Sequence, residues 1–408
     1  MNKLSSSLSL ATRLLICSGS LLAPTVFADT DNLSEEFFKR VKLKGWMSQG
    51  MQAIEADDGA FFEEDSNMSP GFNRFRYALG FDVTLADNVT AYVEFSEEPN
   101  DFGVDYTPHI DFAVVNFALN DTLTYQIGTV GTGMFTYRGY SDGADVQSNP
   151  LIGNSPADMA GAAEGMKMFG DHGQLKWDFT ISSSDFGESF GGDRGLTYIG
   201  KASFDFSDQF GLGASFSSSN HGDQVRNGAS NIVRAGFYTG DGDNYRFPSS
   251  GTDSIRNTHM GLIPGLDTQG FLVDGQFKTE SESLILRSWI GQLTDDFSFA
   301  DAGGNRTVAV QSVGFIEEES EVSFYGLEGT FYFNEKTYVA ARYTAVTNES
   351  EGVEDEDLLS RVQLGVGYFY RDNILFKGEF VNQVEEENSA GQIGSDWGGF
   401  MLETSFIF

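Results

Sequence analysis

Cysteine is almost missing from this chain. Cys17 stands alone near the amino terminus, so there is no partner for a disulfide and no thiolate cluster to hold a metal. Histidine is scarce as well. Of the four, His172 falls in a tight polar turn, and His221 and His259 share the segment 219–268 with no G-x-S-x-G motif beside them, so the chain is not expected to be an enzyme. Positive charge is thin: 25 Lys and Arg stand against 60 Asp and Glu, a formal charge of −35. That balance excludes a nucleic-acid partner, because phosphate neutralisation needs clustered Lys and Arg. Eight prolines, no helical apolar stripe of useful length and no apolar run long enough for a membrane helix complete the list of what is lacking.

The amino terminus carries the pattern of an export signal. Lys3 and Arg13 precede the apolar run Leu14 to Ala23, and Val26-Phe27-Ala28 stands before Asp29. A basic start, an apolar core too short to span a bilayer and small residues before an acidic one predict a signal peptide over residues 1–28. Cys17 is preceded by Ile16 where lipoprotein processing wants a small residue, so lipidation is not expected. Cleavage removes Lys3 and Arg13 and no acid, leaving 23 basic against 60 acidic residues, or −37, and no cysteine at all.

What the chain does have is period-two alternation. Phe75, Tyr77, Leu79, Phe81, Val83 and Leu85 share one face of a strand whose other face carries Arg74, Arg76 and Asp82. The pattern returns at 89–95, 175–181 and 362–370, each time with one apolar and one wet face. Seven short polar turns, near 86–88, 120–121, 171–173, 207–209, 279–282, 334–336 and 371–373, each join two strands of bilayer-crossing length. Eight longer acidic, Gly- and Ser-rich segments alternate with them, at about 56–71, 98–108, 131–162, 183–194, 219–268, 293–321, 348–358 and 385–395.

Seven hairpins, an opening strand at 41–54 and a closing strand at 396–408 make sixteen strands; a further run at 231–239 is assigned to the longest loop. The prediction is an all-β fold over 29–408: a sixteen-stranded antiparallel transmembrane β-barrel with short periplasmic turns and long extracellular loops. Closure removes the edges that lipid forbids, and this strand number leaves room for water inside. Aromatics gather at the turn-side strand ends, namely Phe206, Phe210, Phe333, Tyr370 and Phe408, as an interfacial girdle requires.

The chain ends Phe400-Met401-Leu402-Glu403-Thr404-Ser405-Phe406-Ile407-Phe408, an alternating strand with a terminal aromatic. It resembles the carboxyl-terminal signal by which the barrel assembly machinery recognises outer-membrane proteins. Residues 324–343 resemble the closing strands of Gram-negative porins, and Leu364-Gly365-Val366-Gly367-Tyr368-Phe369-Tyr370 through Phe380 is most similar to the phosphate-selective porin O and P family. That resemblance implies a homotrimer of sixteen-stranded barrels in the outer membrane, with the third extracellular loop folded inward as a constriction. Segment 131–162 has the rank and length for that loop. Two features depart from the family: the opening Gly128 to Thr136, and the acidic balance where phosphate-selective members have an Arg- and Lys-rich lumen.

By strand phase, Arg74, Arg76, Lys176, Lys201, Arg342, Arg361 and Lys377 face the lumen with Arg287, as do Asp82, Glu94, Asp178, Asp205, Asp274, Glu328 and Glu379. Asp142, Asp145 and Asp158 in the constriction segment are expected to oppose the wall arginines and set up a transverse field across the pore. Acidic runs at 63–65, 317–319, 354–357 and 385–387 would concentrate cations at the outer mouth, and divalent cations bridging to lipopolysaccharide are a possible but unneeded cofactor. The expected function is passive diffusion of small hydrophilic solutes and ions with weak cation preference. The alternatives are an anion- or phosphate-selective porin and a plugged structural or adhesive barrel.

Overall fold

The computed structural model describes residues 39–56, 68–97, 109–131, 133–137, 146–153, 155, 162–183, 196–219, 267–296, 319–348, 357–385 and 397–408. They form sixteen strands: β1 Val41–Ala56, β2 Met68–Ala86, β3 Val89–Glu97, β4 His109–Asn120, β5 Leu123–Gly131, β6 Ala162–His172, β7 Leu175–Ser183 and β8 Leu196–Asp205 in the first half. The second half holds β9 Phe210–Ser219, β10 Asp267–Lys278, β11 Leu284–Asp296, β12 Glu319–Asn334, β13 Thr337–Asn348, β14 Asp357–Arg371, β15 Ile374–Glu385 and β16 Trp397–Ile407. Every strand pairs antiparallel with its sequence neighbours, and β1 pairs with both β2 and β16, so the sheet closes on itself. At the seam Gly45 N–H donates to Phe408 O (3.1 Å) and Phe408 N–H donates back to Gly45 O (2.9 Å), which ties the last residue of the chain into the first strand.

The seven short turns of the sequence reading all lie between paired strands, each within a residue or two of the expected place. The run at 231–239, the signal segment 1–28 and the acidic run 63–65 lie outside the described residues, as do residues 317–318, 354–356 and 386–387 of the other acidic runs, whose Glu319, Asp357 and Glu385 stand at strand ends.

Alternation along the strands separates two environments. On the outward face Phe216, Phe271, Ile290, Leu327, Leu364, Phe400 and Leu402 are exposed; on the inward face Glu328, Arg342, Arg361, Gln363, Lys377, Glu379 and Gln383 are buried. A water-soluble sandwich has the reverse arrangement, so this outer surface is built to meet hydrocarbon. The aromatics of the turn end point outward as well. Phe206 lies over Phe210 at 5.6 Å and edge-on to Phe204 at 5.0 Å, Phe331 meets Phe333 at 5.2 Å, and Tyr370 meets Phe376 at 6.4 Å.

Leu327 lies midway along β12 with 55% of its surface exposed. Leu327→Arg is expected to lower barrel stability by about 2–4 kcal/mol in lipid vesicles, the range for an arginine at the bilayer midplane. Denaturant-induced unfolding of both variants in the same vesicles measures it, and an unchanged midpoint would deny that this face meets lipid.

Candidate functional site

Between β5 and β6 the chain leaves the wall, and its described parts, residues 133–137, 146–153 and 155, all meet residues of the polar inward face. These described parts therefore lie inside the barrel. Two separate anchors hold them.

The first anchor is on β8 to β11. The Asp274 carboxylate accepts from Thr136 N–H (3.0 Å), Thr136 Oγ1 (2.6 Å) and Tyr137 N–H (2.7 Å). Tyr137 O–H donates to Asp205 Oδ1 at 2.7 Å, and Lys201 Nζ donates to the Phe135 carbonyl at 3.4 Å. Burial, reinforced by the Asp205 carboxylate, pushes the Tyr137 phenol above its ordinary range, so it keeps the proton this bond needs. Phe135 packs edge-on against Trp289, ring centroids 5.7 Å apart. The loop lies this close because β9 has no side chain in its way: a Cβ on Gly213 would come within 1.9 Å of Thr136 Oγ1.

The second anchor is on β13 to β16. Arg342 donates to the Gly153 carbonyl (2.8 Å) and to Asn149 Oδ1 (3.0 Å), and Gln363 Nε2 donates to the same carbonyl (3.1 Å). Glu379 Oε2 accepts from the backbone N–H groups of Ile152 and Gly153, and Lys377 donates to the carbonyls of Val146 and Leu151. Leu151 fills an apolar patch of the inner wall with Tyr338, Ala340 and Leu375, and Val146 sits against Trp46 and Ala78. Here too a glycine makes room, since a Cβ on Gly365 would lie 2.6 Å from Leu151.

Strand register organises the charges beneath this anchor. Arg287, Glu328, Arg342 and Gln363 stand directly opposite one another across β11 to β14. Glu328 bridges two arginines, at 2.9 Å to Arg287 and 2.7 Å to Arg342, and Lys377 meets Glu403 at 3.2 Å. Arg361 Nε donates to Gln383 at 2.7 Å. Ion pairs this deeply buried hold only because almost every donor has an acceptor.

The structure thus brings Glu328, Arg342 and Lys377 together under the loop, each completely or almost completely covered, with Arg361 buried beside them. Arg287 stays partly open. The partners that Arg342 shows in the loop are Asn149 and the Gly153 carbonyl; Asp142, Asp145 and Asp158, expected to oppose it, lie outside the described residues. Arg76 lies over the Trp46 ring at 5.4 Å, and Glu94 accepts from Tyr92 O–H on the facing part of the wall. The backbone of Arg74 stands opposite Gly50, and its side chain lies outside the described set.

Among the described residues a second part of the lumen is open. A cavity of about 490 Å³ lies between the loop and β5 to β8, lined by Lys167, Lys176, Lys201, Asp178, Phe135 and Phe169 among others. Lys167 and Lys201 both pair with Asp178 Oδ2, at 3.4 and 3.3 Å, and Lys176 pairs with Asp205 at 3.5 Å. Asp171 lines the cavity too, and sequence reasoning named every charge of this lining except Lys167 and Asp171. The signal was present, since Lys167 alternates with the outward Met166 and Met168. Among the described residues no group of three or more His, Cys, Asp or Glu is placed to hold a metal ion.

No family model and no curated protein matches the sequence. Solved structures match over 90% of the chain. The OmpF of Salmonella typhi in complex with daunomycin is 11% identical with a TM-score of 0.58, covering 97% of that chain. OmpT, an outer-membrane protein of Vibrio cholerae, is 11% identical with a TM-score of 0.56, again over 97% of that chain. The outer-membrane channel DcaP of Acinetobacter baumannii is 13% identical at 0.56, also over 97%. At such identities the likeness establishes a shared porin fold, and it does not single out the phosphate-selective family.

Proposed function

We propose that this chain is an outer-membrane porin, through which small hydrophilic solutes and ions diffuse passively along a lumen narrowed by its inward loop. The observation that carries the reading is the inversion of the barrel: apolar residues outside, charged and amide residues inside, and open space between the loop and β5 to β8. Nothing in this reading calls for chemistry on the solute. The long segments reach the cell exterior and the short turns the periplasm, the amino-terminal 28 residues are a cleaved signal, and three barrels associate, as the trimer form of Vibrio cholerae OmpT does. Phe408, locked into β1, is the end offered to the assembly machinery.

Selectivity follows from two opposed features, the acid excess of the chain and the lysines of the open cavity. The acid excess of the whole chain concentrates cations at the mouth, a long-range effect that salt screens within about 10 Å at 0.1 M. Single-channel recording of the purified protein under a KCl gradient tests both parts. Stepwise conductance is expected, with a reversal potential displaced toward that of potassium at low salt and fading as salt rises. Silence in the bilayer would overturn the porin reading in favour of a plugged barrel. An anion-selective pore is the second reading, favoured by the lysines of the open cavity; reversal toward the chloride potential would establish it.

A further inference from the structure

We propose that Lys167 and Lys201 form a binding site for small carboxylates inside the lumen; the inference rests on the channel reading above. Two ammonium groups share the single oxygen Oδ2 of Asp178, so the trio carries one more positive than negative charge. Both lysine side chains are largely enclosed, at 17% and 16% exposure, where a charge is weakly screened and an incoming anion is strongly attracted. Because both lie within ion-pair distance of one atom, a single carboxylate or a short dicarboxylate can reach both.

Position selects these lysines over the other cations of the wall. Arg342, Arg361 and Lys377 are buried and engaged beneath the loop, while Lys167, Lys176 and Lys201, the last with one long bond to the Phe135 carbonyl, line the open cavity of about 490 Å³. That volume holds a solute of a few carbons with its water. Phe135 and Phe169 give the lining an apolar surface beside the ammonium pair. A carboxylate on a short carbon chain matches both features, whereas inorganic phosphate has nothing to offer the rings. Lys176 and Asp205, 54% and 34% exposed, stand as a solvated pair beside the same cavity.

The test is malonate block of the KCl current through single wild-type channels. Malonate is expected to reduce the mean current, and Lys167→Gln with Lys201→Gln to raise the half-blocking concentration about ten-fold or more, since a charge-assisted hydrogen bond contributes about 1.5–3 kcal/mol. Asp178→Asn removes the competing carboxylate and should lower that concentration. A gain of block cannot come from misfolding, so this variant protects the test. Block that survives the double substitution in a conducting channel overturns the site alone; a wild-type barrel that passes no current overturns the channel reading with it. Inorganic phosphate blocking as well as malonate overturns the carboxylate assignment.

Discussion

Arg342→Met is expected to destabilise the barrel by about 3 kcal/mol and to enlarge its single-channel steps. The arginine makes contacts of two kinds: Nε and Nη2 hold Glu328 in the wall, and Nη1 and Nη2 hold Gly153 and Asn149 in the loop. Removing one member of a buried ion pair costs about 3–5 kcal/mol because the other charge stays behind in the dark. The low end applies here, since Arg287 still neutralises Glu328 at 2.9 Å. Urea unfolding in lipid vesicles gives the stability change, and planar bilayers give the conductance. Arg342→Met combined with Glu328→Gln should recover a large part of the stability and none of the conductance. The loop contacts remain lost, but no buried carboxylate is left behind without its nearer partner. A double variant as unstable as the single one would show that Glu328 does not depend on Arg342.

The wall was legible in the sequence because its cause is local. A strand that faces lipid on one side and water on the other must alternate, and a hairpin turn must be short and polar, so the strand count and inward phase of Arg342, Lys377 and Asp274 can be read residue by residue. The course of the inward loop could not be read that way. Thr136 meets Asp274 across 138 residues of chain and Ile152 meets Glu379 across 227, contacts that no periodicity encodes. Phase told that Arg342 points inward but not that Asn149 and Gly153 cover it. The glycines were the overlooked signal: Gly213 and Gly365 interrupt the inward faces of β9 and β14 where Thr136 and Leu151 press against the wall. Inward glycine in a strand marks a close approach by something else. Lys167 escaped for a smaller reason, since its strand follows the loop directly and its apolar face is made of methionines and a glycine rather than of β-branched or aromatic residues.

The other end of the loop should be the more sensitive to a single change. Asp274→Ala removes one acceptor and leaves three donors, two of them backbone N–H groups that cannot turn elsewhere without moving the chain. Each bond to a charged acceptor is worth about 1.5–3 kcal/mol before water replaces any of them, enough in sum to free residues 133–137 from the wall. Phe135 and Thr136 line the cavity beside Lys167 and Lys201, so their release both widens the passage and takes away one side of the carboxylate site. The expected result is larger conductance together with weaker malonate block. Thr136→Val separates the contributions: it deletes the hydroxyl bond, keeps both backbone bonds and should fall between wild type and Asp274→Ala in both readings. Tyr137→Phe loses the phenol's bonds to Asp205 and Ser203 and should move conductance least, because the three bonds to Asp274 stay intact. If Asp274→Ala conducts and binds malonate as wild type does, the loop is held at this end by Phe135 against Trp289 rather than by the carboxylate, and Phe135→Ala then becomes the variant that opens the pore.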